Sequence, residues 1–199
     1  MKAKRIIVWT FVLASAMILN VEAYAKNIYK ITSKKSSVHW VGKKVAGEHS
    51  GTIQLSSGEL DFNGSNIKGG SFEVDMNTIV VTDIKDPGYA QKLEGHLKNG
   101  DFFGVDKFPK ALFTIEKATK QGDGSFLVEG NATIKGVTQA IEFKVDLHEH
   151  DSELHASAKI VIDRTQFGVR YGSGSFFSNL GDKAIENEFE LNVNLYLKK

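Results

Sequence analysis

Residues His96–Ile115 read HLKNGDFFGVDKFPKALFTI, and this stretch decides how the chain folds. It begins at the end of the most helix-like segment and passes through Phe102, Phe103 and Phe108. It then turns at Pro109 and leaves as an alternating strand. Burying one Phe side chain is worth about 1.5–3 kcal/mol. Three of them this close together require a large apolar partner surface, and the rest of the chain must supply it.

Immediately upstream, Asp86-Pro87-Gly88 breaks an extended pattern. Asp86 can cap a helix whose first position is Pro87, where a missing N–H does no harm. Tyr89, Leu93, His96 and Leu97 recur at helical spacing, so the spacing predicts a helix over Pro87–Lys98, ended by Asn99-Gly100. Its apolar stripe is narrow, which suits a helix that covers a surface without being buried in one.

Downstream, Ala111, Phe113 and Ile115 alternate with Leu112, Thr114 and Glu116. Gln121–Gly124 reads as a hairpin turn, with Phe126–Ile134 as the return strand. Ile141, Phe143, Val145 and Leu147 alternate with charged residues, and Ala158, Ile160 and Ile162 mark the next inner face. Asp163–Gly181 has no period and is rich in Gly and Ser, so it reads as a long loop, with room for a helical turn near Asn179. Ile185–Leu197 closes the chain, with Phe189, Leu191, Val193 and Leu195 on one face.

Before the helix, Ile28–Ile31 and Val38–Val41 read as the first strand or strands. Gly47–Leu55 follows, then a Ser-Ser-Gly turn and Gly58–Phe62. Phe72, Val74 and Met76 oppose Ser71, Glu73 and Asp75 in strict period two, and Asn77–Asp83 closes this part of the meander. About eight strands, each with one apolar face, favour a closed all-β barrel with one inserted α-helix over an open sheet.

The first 25 residues stand apart. Lys2, Lys4 and Arg5 precede the apolar run Ile6–Leu19, and Ala23-Tyr24-Ala25 offers the small residues of a cleavage site. The expected division is therefore a signal peptide over 1–25, cleaved after Ala25, and one domain over 26–199. The intact chain carries 25 Lys and Arg against 24 Asp and Glu, a net +1. Removing 1–25 takes away a net +2 and leaves a mature chain near −1. That balance gives no electrostatic footprint for nucleic acid. No later segment is apolar for long enough to span a membrane. The absence of cysteine excludes disulfides, thiolate metal sites and a catalytic thiol. A periplasmic or secreted protein is expected, held together by its core alone.

Four stretches together carry a resemblance. They are Thr78–Asp83, then His96–Phe103 with Phe108-Pro109 and Phe113, then Gly130–Thr138, and Asp163–Val169 with its DRTQFGV sequence. Over about Ile28–Leu197 the chain resembles the YceI family, the exported polyisoprenoid-binding or YceI-like domain. The resemblance implies a lipocalin-like, eight-stranded antiparallel β-barrel whose interior holds a long-chain lipid. Candidate ligands are a polyisoprenoid, an isoprenoid quinone, or a fatty acid or its amide. It implies no further cofactor, and the oligomeric state, including a homodimer, stays open.

The candidate ligand-binding residues follow from the inner faces and from the aromatics of the insertion. They are Phe72, Val74, Met76, Phe113, Ile115, Val128, Phe143, Val145, Ile160, Ile162, Phe189 and Leu191 on strands. Leu93, His96, Leu97, Phe102, Phe103, Arg164, Phe176 and Phe177 lie on the helix and loops. Alternation alone fits a side-chain-filled core as well as a tunnel. Leu93, Leu97, Phe102, Phe103 and the Phe176-Phe177 loop are expected to close the mouth of a tunnel. His96 is either a packing residue or a headgroup contact, and Asp163-Arg164 either an N-cap with a salt bridge or a polar handle. His148, His150 and His155 read as a solvated turn in preference to a metal site. No nucleophile elbow, phosphate loop or zinc-protease motif is present. A carrier is therefore expected. The alternatives are a lipid-modifying enzyme using His96, or a module that delivers its ligand to an envelope partner.

Overall fold

Period-two alternation becomes nine antiparallel strands in the computed structural model, which describes residues 26–32, 34–122 and 124–199. The expected signal peptide lies outside the described residues. The strands are β1 (Ile28–Ile31), β2 (Ser37–Lys44), β3 (Gly47–Phe62), β4 (Ile67–Val81), β5 (Lys110–Lys120), β6 (Ser125–Ile134), β7 (Val137–His150), β8 (Glu153–Asp163) and β9 (Ile185–Lys198). From β2 to β9 each strand pairs with the next, and β9 pairs back onto β2. Short β1 pairs with both β3 and β9, in line with β2. The two share one position, so the ring is a closed eight-stranded up-and-down barrel.

One expected turn is absent. Ser56-Ser57-Gly58 does not separate two strands but lies inside β3, where the register with β4 shifts between Leu55 and Ser57. Ser56 Oγ donates to the Glu73 carboxylate at 2.6 Å, and a Cβ on Gly58 would sit 2.6 Å from the Phe72 ring. The bulge bends a single long strand around Phe72. Asn77–Val81 likewise continues β4. Beyond Asp75, however, β4 leaves β5 and pairs with β3 alone.

The departure of β4 from β5 makes room for the helix, α1 (Pro87–Lys98). The Asp86 side chain accepts from the Tyr89 N–H at 3.0 Å, the expected cap. Glu94 on α1 accepts the Val81 N–H at 2.8 Å, tying the helix to the end of β4. No residue of α1 is fully buried, in keeping with a covering element. The three phenylalanines after it separate. Phe102 is buried beneath the helix, Phe103 turns inward, and Phe108 lies over the β6–β7 turn at Gly136. Phe108 is thus a wall contact and not a cavity residue.

The end of the barrel away from α1 is sealed. Tyr29, Phe62 and Phe126 meet edge to face at 6.4 and 6.5 Å, and Leu154 and Leu197 have no exposed surface. The long loop after β8 holds, with short helical turns at Arg164–Phe167 and Gly181–Lys183.

Candidate functional site

The inward residues do not fill the barrel. Two chambers remain, of about 160 Å³ and about 190 Å³ as the space open to the centre of a water molecule. One bound water needs only roughly 10–15 Å³ on that scale. The lower chamber, toward the sealed end, is walled by strand residues including Phe72, Phe113, Ile115, Val128, Phe143, Val145, Ile160 and Ile162. The upper chamber lies under the helix, against Met76, Leu93, Leu97, Phe102, Phe103 and Phe189. Val38, Val74, Ala111, Ile134 and Leu191 border both chambers, so the two meet at a shared waist.

All but three of the residues expected from sequence to contact ligand line one chamber or both. The exceptions are His96, Phe176 and Phe177. His96 lies edge-on to Phe102 at 5.1 Å and to Tyr171 at 4.6 Å, which makes it a packing histidine between α1 and the long loop. Phe176 and Phe177 are 46% and 51% exposed, and the Arg170 guanidinium stacks over Phe176 at 4.6 Å. The Phe176-Phe177 loop therefore does not close the mouth. A single bridge joins Ser173 to Ile185 at the start of β9, and the two rings that follow Ser173 stand exposed.

Arg164 is the buried charge of the upper chamber, at 4% exposure. Its guanidinium donates to the carbonyls of Val169, Ile185 and Glu186 at 2.9, 3.1 and 2.9 Å and sits 5.8 Å from the Phe102 ring. Burial pushes its pKa down from the ordinary value, with Asp163 opposing, though a guanidinium stays charged. The expected Asp163–Arg164 salt bridge is not formed. Asp163 instead caps the following turn through Thr165, accepting from its N–H and hydroxyl at 2.9 and 2.6 Å. Arg164 clamps the long loop to β9 and lines the chamber while doing so.

Polar side chains gather at one end of the upper chamber, where Lys43, Lys44, His49, Glu186 and Glu188 join the lining. Sequence reasoning missed His49, whose partner Asp83 is far away in the chain. The turn His150–Glu153 is solvent-facing, with Asp151 and Ser152 in left-handed conformations. His155 is stacked on Tyr196 at 4.6 Å. Among the described residues no group of three or more His, Asp or Glu is placed to hold a metal, and no helix is long and apolar enough to cross a membrane.

Fold and site together define a hollow, helix-capped, eight-stranded barrel with an apolar bore and a polar rim. The YceI-like domain model matches residues 29–197, and the chain belongs to that family. It is 33% identical over 91 residues to a UPF0312 protein of Vibrio vulnificus strain YJ016, a match covering 46% of each chain. A UPF0312 protein of Shewanella denitrificans is 30% identical over 94 residues, 47% of each chain. The matched region thus spans about half the length of these curated relatives. Among solved structures the chain resembles Burkholderia cenocepacia BcnA, with a TM-score of 0.69 and 19% identity over 83% of this chain and 98% of that one. It also resembles a polyisoprenoid binding domain from Saccharophagus degradans implicated in plant cell wall breakdown. There the TM-score is 0.62 and the identity 15%, over 85% of this chain and 97% of that one. At these identities the likeness shows the fold.

Proposed function

We propose that the protein is an exported, soluble carrier or sequestering protein that takes one long-chain apolar molecule along the barrel axis. The observation that carries this reading is the pair of chambers joined at a waist, apolar throughout and polar only at one rim. Polyisoprenoids, isoprenoid quinones and fatty acids or their amides all have that shape, and the polyisoprenoid binding domain with the same fold supports the first of them. Each buried CH₂ is worth about 0.8 kcal/mol, so a sixteen-carbon tail gains on the order of 10 kcal/mol. Association itself removes about 4 kcal/mol or more of that. At most about 6 kcal/mol then remains, so exclusion of water alone gives a dissociation constant of roughly tens of micromolar.

The alternative of a lipid-modifying enzyme built on His96 loses its main support, because that ring is packed between Phe102 and Tyr171 and borders neither chamber. The test is to export the full chain in a bacterial host, purify it from the periplasmic fraction, extract it with organic solvent and identify the extract by mass spectrometry. A stoichiometric long-chain lipid is expected. A protein that yields none, and that takes up no added lipid, refutes the carrier.

A further inference from the structure

His49 stands at the polar rim of the upper chamber, hydrogen-bonded to Asp83, and neither is needed to explain the apolar bore. His49 Nδ1 lies 2.9 Å from Asp83 Oδ2, and the other Asp83 oxygen accepts the Ser50 N–H at 3.0 Å. Burial works against ionisation of Asp83, but the hydrogen bonds from His49 and Ser50 outweigh it and hold the carboxyl below its usual range. A carboxylate fixed from two sides fixes the imidazole in turn. In the tautomer in which Nδ1 donates to Asp83, Nε2 is the ring atom left to accept a hydrogen bond. That is the arrangement used to orient functional histidines.

The neighbouring wall is open. His49 pairs across the sheet with Gly42, which in turn pairs with Phe189, and all three line the upper chamber. A methyl group on Gly42 would meet nothing within 4 Å. The inner wall therefore has a notch between the apolar Phe189 and the oriented His49. Most donors of this rim are already engaged. Arg164 donates to three carbonyls, and Lys43 is paired with Glu190 at 2.9 Å. The acceptors are not engaged. Among the described residues His49 Nε2 has no hydrogen-bond partner and Glu186 and Glu188 form no ion pair.

From this geometry we infer that the notch at Gly42, with His49 and Asp83, is a headgroup subsite for a neutral hydrogen-bond donor, such as the hydroxyl of a long-chain alcohol. This inference rests on the chain-binding reading above. Nε2 accepts the hydroxyl proton, Asp83 holds the ring in place, and the tail descends past Phe189 into the bore. An anionic head would instead face Glu186 and Glu188, with Lys44 the rim cation that forms no ion pair among the described residues.

Equilibrium binding of 1-hexadecanol, palmitate and hexadecane, followed by fluorescence of the chamber residue Trp40, tests the inference. The full mature domain is used, as wild type, His49→Phe and Asp83→Asn. The wild type binds 1-hexadecanol about tenfold more tightly than hexadecane or palmitate, the effect of one well-made hydrogen bond. His49→Phe loses that preference, read as the ratio of its 1-hexadecanol to its hexadecane affinity, and Asp83→Asn loses part of it. Equal affinities for the three probes, tighter binding of palmitate, or a preference that survives His49→Phe overturns the subsite and leaves chain binding intact. Failure of the wild type to bind any of the three refutes the carrier reading itself.

Discussion

The two ends of this barrel are made from the same alternating strands and are put to opposite uses. At the sealed end the inward residues interlock. Tyr29, Phe62 and Phe126 meet edge to face, and Leu154 and Leu197 are wholly buried. At the other end β4 parts from β5, α1 bridges the gap without a single fully buried residue, and Leu93, Leu97 and Phe103 face empty space. Period-two patterning fixes which residues point inward, but it does not fix whether they touch. What closes each end decides that. Strand termini bring aromatic rings into contact, whereas a helix laid across a gap stands off from what it covers. Stability is therefore concentrated at the sealed end, and the hollow lies between it and the helix.

The largest test of this division is a pair of truncations. Phe126→Ala should cost about 3–5 kcal/mol, because it opens a hole in a packed cluster. Leu97→Ala should cost about 1 kcal/mol or less, since the side chain is half-buried beside a void that already exists. Urea unfolding of both variants measures the difference, and equal costs would erase the distinction between the ends. Next comes the waist. Ala111→Phe places a ring where the chambers join, and it should lower affinity for hexadecane about a hundredfold, about 2.7 kcal/mol. Overpacking normally costs about 1–3 kcal/mol, but a ring that enters a void should leave the unfolding midpoint nearly unchanged. Isothermal titration together with thermal unfolding separates the two effects, and a stable variant that still binds hexadecane would mean that the bore does not run through Ala111.

A smaller effect belongs to the outer wall near the helix. Gly136 has φ +76°, and a Cβ there would lie 2.6 Å from the Phe108 ring. Gly136→Ala should destabilise by about 1–3 kcal/mol through strain and displacement of that ring. Unchanged urea stability would show that Phe108 does not anchor the segment after α1. The smallest effect is electrostatic. Glu190 donor contacts from Lys159 first, then Lys43, lower its pKa from 4.5 to about 2. A carboxylate with a depressed folded pKa contributes stability that is complete above its unfolded value and is lost as pH falls through the folded one. The contribution should disappear between about pH 4.5 and pH 2, and Glu190→Gln should flatten that part of the stability–pH curve. The same slope in both proteins would count against the Lys43–Glu190–Lys159 cluster.

Much of this arrangement was legible in the sequence because it depends on neighbours in the chain. The alternation of Phe113 and Ile115 or of Phe189 and Leu191, and the Asp86-Pro87 start of α1, are local patterns, and the residues that alternate inward line the chambers. Four features were not legible, and each depends on a distant partner. Ser56–Gly58 looks like a turn until Phe72 and Glu73 on β4 bend it into a bulge. Phe108 is grouped in sequence with Phe102 and Phe103 as needing an apolar partner surface, and only the fold shows that Gly136 supplies it. Phe176 and Phe177 face outward because their loop is bridged to the start of β9 through Ser173 and Ile185. His49 carries no signal of its own, and only closure of β3 onto β4 brings Asp83 within 2.9 Å of it.

The central claim is that one chain runs from the rim, through the waist, into the lower chamber. The most direct measurement is a crystal structure of the protein loaded with 16-bromohexadecan-1-ol, with the bromine located by anomalous scattering. The account predicts a single bromine in the lower chamber among Phe113, Val128 and Phe143, with the hydroxyl at the His49 end. A bromine confined to the space beneath α1, or bound only outside the barrel, would contradict it.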